Sequence, residues 1–106
     1  MAALRGISPE ALAEASTANA LAARVIELGN TGRPGPGASS DDRKGYTTRQ
    51  TNGRRAREYM NHLELLSRTV RSAPSEAAVA GYVVQARLVK GYLNTILASS
   101  LAAMPK

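Results

Sequence analysis

Residues 56–97 read AREYMNHLELLSRTVRSAPSEAAVAGYVVQARLVKGYLNTIL, and two apolar seams in this stretch decide the fold. Ala56, Tyr59, Leu63, Leu66 and Val70 step by 3, 4, 3 and 4 residues, the rhythm that keeps side chains on one face of an α-helix. Met60 widens that face, while Arg57, Asn61, Glu64, Arg68 and Arg71 fall on the opposite stripe. The rhythm returns in Val79, Tyr82, Ala86, Val89, Leu93 and Ile96. Between the seams, Pro74 pushes Ala73 out of the helical region. Ser75 is a good N-cap, with Glu76 at the positive end of the next helix dipole. Residues 49–104 are therefore expected to form an antiparallel helical hairpin, turning at Ser72–Ser75 and running to about Ala102.

Upstream, a helix over 9–28 has clear signals at both ends. Ser8 can cap it, Pro9 suits the first helical position, and Ile7 with Leu12 has the spacing of a hydrophobic staple. Ala18, Leu21, Val25 and Leu28 share a face, flanked by Ala11, Ala15 and Ala22, whose small size permits close approach. Gly29 offers a left-handed stop. Residues 29–48, GNTGRPGPGASSDDRKGYTT, hold five of the nine glycines and two of the five prolines, with no large aliphatic side chain. That composition predicts a flexible loop. The second helix is then expected near Thr47, where Thr47 and Gln50 have capping-box spacing and Gly53 weakens the first turns. The fold class is all-α within one small domain, 1–106. Helix 1, a long Gly/Pro-rich basic loop and the hairpin make a three-helix bundle, open to completion by oligomerisation.

Composition limits what this bundle can bury. Leu, Ile and Val number 20 against 19 Ala, and Phe, Trp and Cys are absent. The core is thin. Val83, Leu97 and Leu101 broaden the apolar face of the third helix beyond what a hairpin partner covers. Tyr82 and Tyr92 point about 80° apart at 100° per residue, so they cannot both lie in one core. These five residues are the candidate protein interface. Gly81 and Gly91 each cost about 1 kcal/mol inside a helix unless something packs closely, in the bundle or between protomers.

The absence of Cys excludes a disulfide scaffold and a Cys-ligated zinc site, and no cofactor or metal is expected. His62 is the single imidazole, four residues after Glu58, which suits a surface pair rather than a catalytic group. Asp41 and Asp42 sit beside Arg43 and Lys44, where local neutralisation explains them. The glycine run 29–35 lacks the Gly-Lys-Ser/Thr ending of a phosphate loop. An enzyme is not expected. Glu10, Glu14 and Glu27 interrupt the N-terminal segment, and Arg87 and Lys90 interrupt Val79 to Met104. Neither stretch reads as a signal peptide or a membrane span, which favours the cytoplasm or the inside of a particle.

The densest functional signal is charge. Lys and Arg number 14 against 8 Asp and Glu, a net +6. Arg43, Lys44, Arg49, Arg54, Arg55 and Arg57 place six cations between 43 and 57 with no acid among them. Arginine grips phosphate bidentately, Gln50 and Asn52 add neutral donors, and Tyr46 can stack on a base. The expected function is a non-enzymatic accessory protein that binds nucleic acid or another polyanion through this arm. Phosphate contacts position a protein without reading bases, so binding should be largely indifferent to sequence. An acidic protein surface, met by an adaptor or inhibitor, is the other partner of the right charge. The alternative from a different class is a structural subunit of a homo-oligomeric assembly, such as a virion component, supported by the surplus apolar face of the third helix.

Overall fold

A computed structural model describes residues 8–105, which form three α-helices: α1 (Pro9–Gly29), α2 (Ser40–Ser72) and α3 (Glu76–Ala102). Each starts on a serine whose hydroxyl accepts a hydrogen bond from the backbone N–H three residues on. Ser8 accepts from Ala11 at 3.1 Å, Ser39 from Asp42 at 3.1 Å and Ser75 from Ala78 at 3.0 Å. The caps expected at Ser8 and Ser75 are therefore present. Ile7, the outer half of the expected staple, lies outside the described residues.

The second helix departs from expectation. Its start is Ser40, so the loop is residues 30–39 rather than 29–48, and α2 enters the hairpin nine residues before position 49. Ser39 as cap, with Asp41 and Asp42 in the first turn, outweighs the glycine that follows. Gly45 does not break the helix: a Cβ there would collide with the carbonyl oxygen of Ala103, so glycine lets α2 pass close to the end of α3. Gly53 likewise lies against α1, with its Cβ position 3.6 Å from the Cα of Ile26. Thr47 is mid-helix and donates its hydroxyl hydrogen to the Arg43 carbonyl at 3.0 Å instead of capping.

The end of α1 differs as well. Gly29 stays helical, Asn30 closes the helix, and the positive φ expected at Gly29 occurs at Gly32, at 69°. Gly29 is instead a contact glycine, since its Cβ position is 2.8 Å from the Arg49 carbonyl oxygen.

The helices pack mutually, with α1 against both members of the α2–α3 hairpin. Ala11, Ala18, Ala22, Val25, Ala56, Leu63, Val70, Ala86, Val89, Leu93 and Ile96 form one buried cluster. Alanines on α1 let the axes approach, and the few large side chains then fill the space that remains. Burying Leu63 or Leu93 contributes roughly 1.5–3 kcal/mol each. Tyr82 and Val83 belong to this core, and Leu97 packs half-buried against it. All three are removed from the candidate interface: Tyr82 turns toward Leu66 and Val70 of α2, and Val83 and Leu97 pack in or against the common core of the three helices. Tyr92 and Leu101 stay exposed, at 51% and 47%. Gly81 and Gly91 make no close contact inside the bundle, with nothing within 4 Å of either Cβ position.

The bundle is a rod of 57 × 18 × 17 Å, and α2 spans most of it at about 50 Å. The ends of α1 and α3 lie beside the first half of α2. No helix among the described residues is long and apolar enough to cross a membrane.

Candidate polyanion-binding face

The continuous helix from Ser40 arranges the cationic run as no flexible arm could. Arg43, Thr47, Gln50, Arg54 and Arg57 step by 4, 3, 4 and 3 and form one exposed ridge, with Lys44, Thr51 and Arg55 on the next. From 43 to 57 the ridge extends about 21 Å. The same periodicity turns Arg49 and Asn52 inward. Both are buried, and their donors are committed to the bundle.

Arg49 is fully buried and has no carboxylate among its hydrogen-bond partners. Its Nε donates to the Leu28 carbonyl at 3.0 Å, Nη1 to Ala103 at 2.7 Å, and Nη2 to Thr31 at 2.9 Å and Gly32 at 3.3 Å. These carbonyls belong to the ends of α1 and α3, where acceptors lack helical partners and both dipoles are negative. One guanidinium thus ties two C-termini and the following loop to α2. Tyr46 lies over it, ring centroid 5.5 Å from the guanidinium carbon. Asn52 makes a second tie, donating from Nδ2 to Ile96 O at 3.3 Å and to the Ser99 and Ser100 hydroxyls at 3.3 and 2.9 Å.

Of the nine residues expected to meet nucleic acid, Arg49 and Asn52 are therefore corrected to structural roles. Tyr46 is corrected in part. It is half-buried over Arg49, and its remaining surface lines a hollow rather than standing free for a base. Arg43, Lys44, Gln50, Arg54, Arg55 and Arg57 are exposed and share one side of α2.

The structure adds Arg33. The 30–39 loop folds back so that Arg33, Pro34, Pro36, Arg43 and Tyr46 surround a hollow of about 460 Å³, and Arg43 donates to the Pro36 carbonyl at 3.2 Å. A smaller polar cleft, about 170 Å³, lies between Asn30 at the end of α1 and Gln50, Arg54 and Arg57. Both openings present guanidinium groups beside neutral donors, the chemistry that holds phosphate or carboxylate oxygens. Sequence reasoning missed Arg33 because the expected loop had no fixed place beside α2. The available signal was Ser39-Ser40-Asp41-Asp42, read as a cap.

The other charges organise differently. Glu14 of α1 meets Lys90 at 2.6 Å and Arg87 at 3.5 Å, and Glu10 also pairs with Arg87. The hydrogen bond from Lys90 holds the Glu14 carboxyl below its ordinary value, against partial desolvation and with further help from Arg87. These two cations are thereby neutralised toward α1. His62 and Glu58 are both exposed. No group of three or more His, Asp or Glu side chains among the described residues is placed to hold a metal ion. No family model, curated protein or solved structure matches the chain.

Proposed function

We propose that the protein is a non-enzymatic binder of nucleic acid, gripping the phosphate backbone with the exposed face of α2. One observation carries this reading: Arg43, Lys44, Arg54, Arg55 and Arg57 stay exposed on one side of a single rigid helix, with Arg33 brought alongside. Charges preset on a helix lose less conformational freedom on binding than the same charges on a loop. Arg49, which shared their sequence signature, is excluded, so the footprint is five cations on α2 and a sixth on the loop. Asp42 and Glu58 bound the run at either end. Gln50 is of a type that can reach a base edge, but cations suited to phosphate dominate this face and no free aromatic platform accompanies them, so binding is expected to be largely indifferent to sequence.

Fluorescence anisotropy with mixed-sequence DNA and RNA tests this directly. Six engaged cations imply a loss of affinity of about 10³-fold between 50 and 200 mM salt. Affinity that stays flat over that range sinks the proposal. Capture by an acidic protein that persists after nuclease treatment, with no shift of free nucleic acid, would assign the face to a protein partner instead.

A further inference from the structure

The outward face of α3 is the part of the molecule that the bundle leaves unexplained. Ala77, Gly81, Val84, Leu88, Gly91 and Thr95 step by 4, 3, 4, 3 and 4 along it, and all six are exposed. None is charged, although the chain carries a net +6. The two large apolar members, Val84 and Leu88, are 53% and 47% exposed. The glycines of α2 and the one ending α1 each meet a neighbouring backbone, as Gly45, Gly29 and Gly53 show. Gly81 and Gly91 sit in the interior of α3 with nothing within 4 Å of either Cβ position. A helix-interior glycine is unfavourable relative to alanine unless a backbone approaches. Nothing within the chain approaches these two.

The geometry points to a second copy of this chain as the occupant, packed α3 against α3 in an antiparallel two-fold pair centred near position 86. The six positions are symmetric about that centre. Residue 77 pairs with 95, 81 with 91 and 84 with 88, so small residues meet small ones and Val84 meets Leu88. A two-fold interface requires such self-complementarity, each patch contacting its own copy. Paired glycines let the two backbones approach, as small residues do wherever helices cross closely. Tyr92, 51% exposed and stacked on Tyr59 at 5.6 Å, falls opposite Ala80, where a large ring finds room.

Charge sets the direction. The cationic end of the rod is the C-terminal end of α3, since Gly45 and Arg49 of α2 meet Ala103 there. A parallel pair would set two cationic ends side by side. The antiparallel pair sends them to opposite extremities, and Arg87 and Lys90 at its flank are already paired with Glu10 and Glu14. The paired stretch, residues 76–96 of α3, is about 30 Å long, and a strip about 15–20 Å wide gives roughly 450–600 Å² per partner, the size of a weak, concentration-dependent dimer interface.

The test is sedimentation equilibrium of the full chain, nuclease-treated and in 0.5 M salt, so that nucleic acid cannot bridge copies. A dimer is expected at tens of micromolar, shifted at least tenfold toward monomer by Leu88→Glu and by Gly91→Leu. Leu65→Glu, at a 62% exposed site on α2, should leave it unchanged. Circular dichroism checks that every variant keeps its helix content, and the Gly91 variant removes a glycine without adding charge. The chain has no Cys, so orientation can be read from added ones. Ala77→Cys with Thr95→Cys should give a covalent dimer under oxidation, and Thr95→Cys alone should not. A monomer at all concentrations, a dimer indifferent to Leu88→Glu and Gly91→Leu, or efficient cross-linking by Thr95→Cys alone would each overturn the inference.

Discussion

Arg49 and Arg54 are five positions apart in one helix, yet one is sealed among carbonyls and the other faces solvent. Their difference follows from where α2 begins, because starting at Ser40 fixes which residues face α1 and α3. We predict that Arg49→Met lowers the unfolding free energy by at least about 3 kcal/mol, since it leaves several buried or half-buried carbonyls without donors. Arg49→Lys should recover only part of that, because an ammonium cannot span the four acceptors that the planar fork reaches. Urea denaturation measures both, and a loss below about 0.5 kcal/mol for Arg49→Met would contradict the assigned role. Below the variant's melting temperature, nucleic-acid affinity should stay within about twofold of the parent. That pairing of a large stability loss with intact binding separates Arg49 from its exposed neighbours. No sequence window distinguishes these arginines, because the distinguishing acceptors come from residues 28–32 and 103, remote along the chain.

The three helices were legible to different degrees, and the reasons are local. The starts of α1 and α3 were marked by Ser8-Pro9 and Pro74-Ser75, where cap chemistry and proline geometry act within a few residues. The start of α2 was obscured by Gly45 and Gly53, which in isolation weaken a helix and here serve contacts with α3 and α1. Ser39→Ala removes the one side-chain cap at that start and should cost about 1 kcal/mol, with faster amide exchange over residues 40–45 than over the rest of α2. Unchanged protection there would place the determinant elsewhere.

The join between α1 and α3 carries its own pH dependence. Because Lys90 and Arg87 lower the Glu14 pKa, the unfolded chain binds this proton more readily than the folded one. The contribution is then fully present above the ordinary carboxylate value of 4.5 and is lost as pH falls through the lowered folded value. Melting temperatures of the parent and Glu14→Gln should differ by a constant amount above pH ~5 and converge on acidification. A gap that widens with acid would reverse the assigned sign.

At the scale of the whole molecule, the rod is electrically asymmetric along its 57 Å axis. Arg33, Arg43, Lys44, Arg54, Arg55 and Arg57 crowd toward the end where α1 and α3 finish. In the other half the signs are mixed: Arg68, Arg71, Arg87 and Lys90 are interspersed with Glu10, Glu14, Glu64 and Glu76, and Arg68, Arg87 and Lys90 are paired with carboxylates. The charge arithmetic of the sequence already located a cationic segment, but not that Arg49 leaves it, Arg33 joins it, or that it is held rigid on a helix. If this local face rather than net charge binds nucleic acid, two double variants that lower the net charge equally should behave differently. Arg54→Gln with Arg57→Gln should flatten the dependence of log affinity on log salt by roughly 1.8. Arg68→Gln with Arg71→Gln, farther along the same helix, removes one exposed pair with Glu64, worth at most about 1 kcal/mol, and should leave the slope as it was. Equal flattening by both would mean that the chain binds through its overall field, and the ordered ridge on α2 would then have no special part in binding.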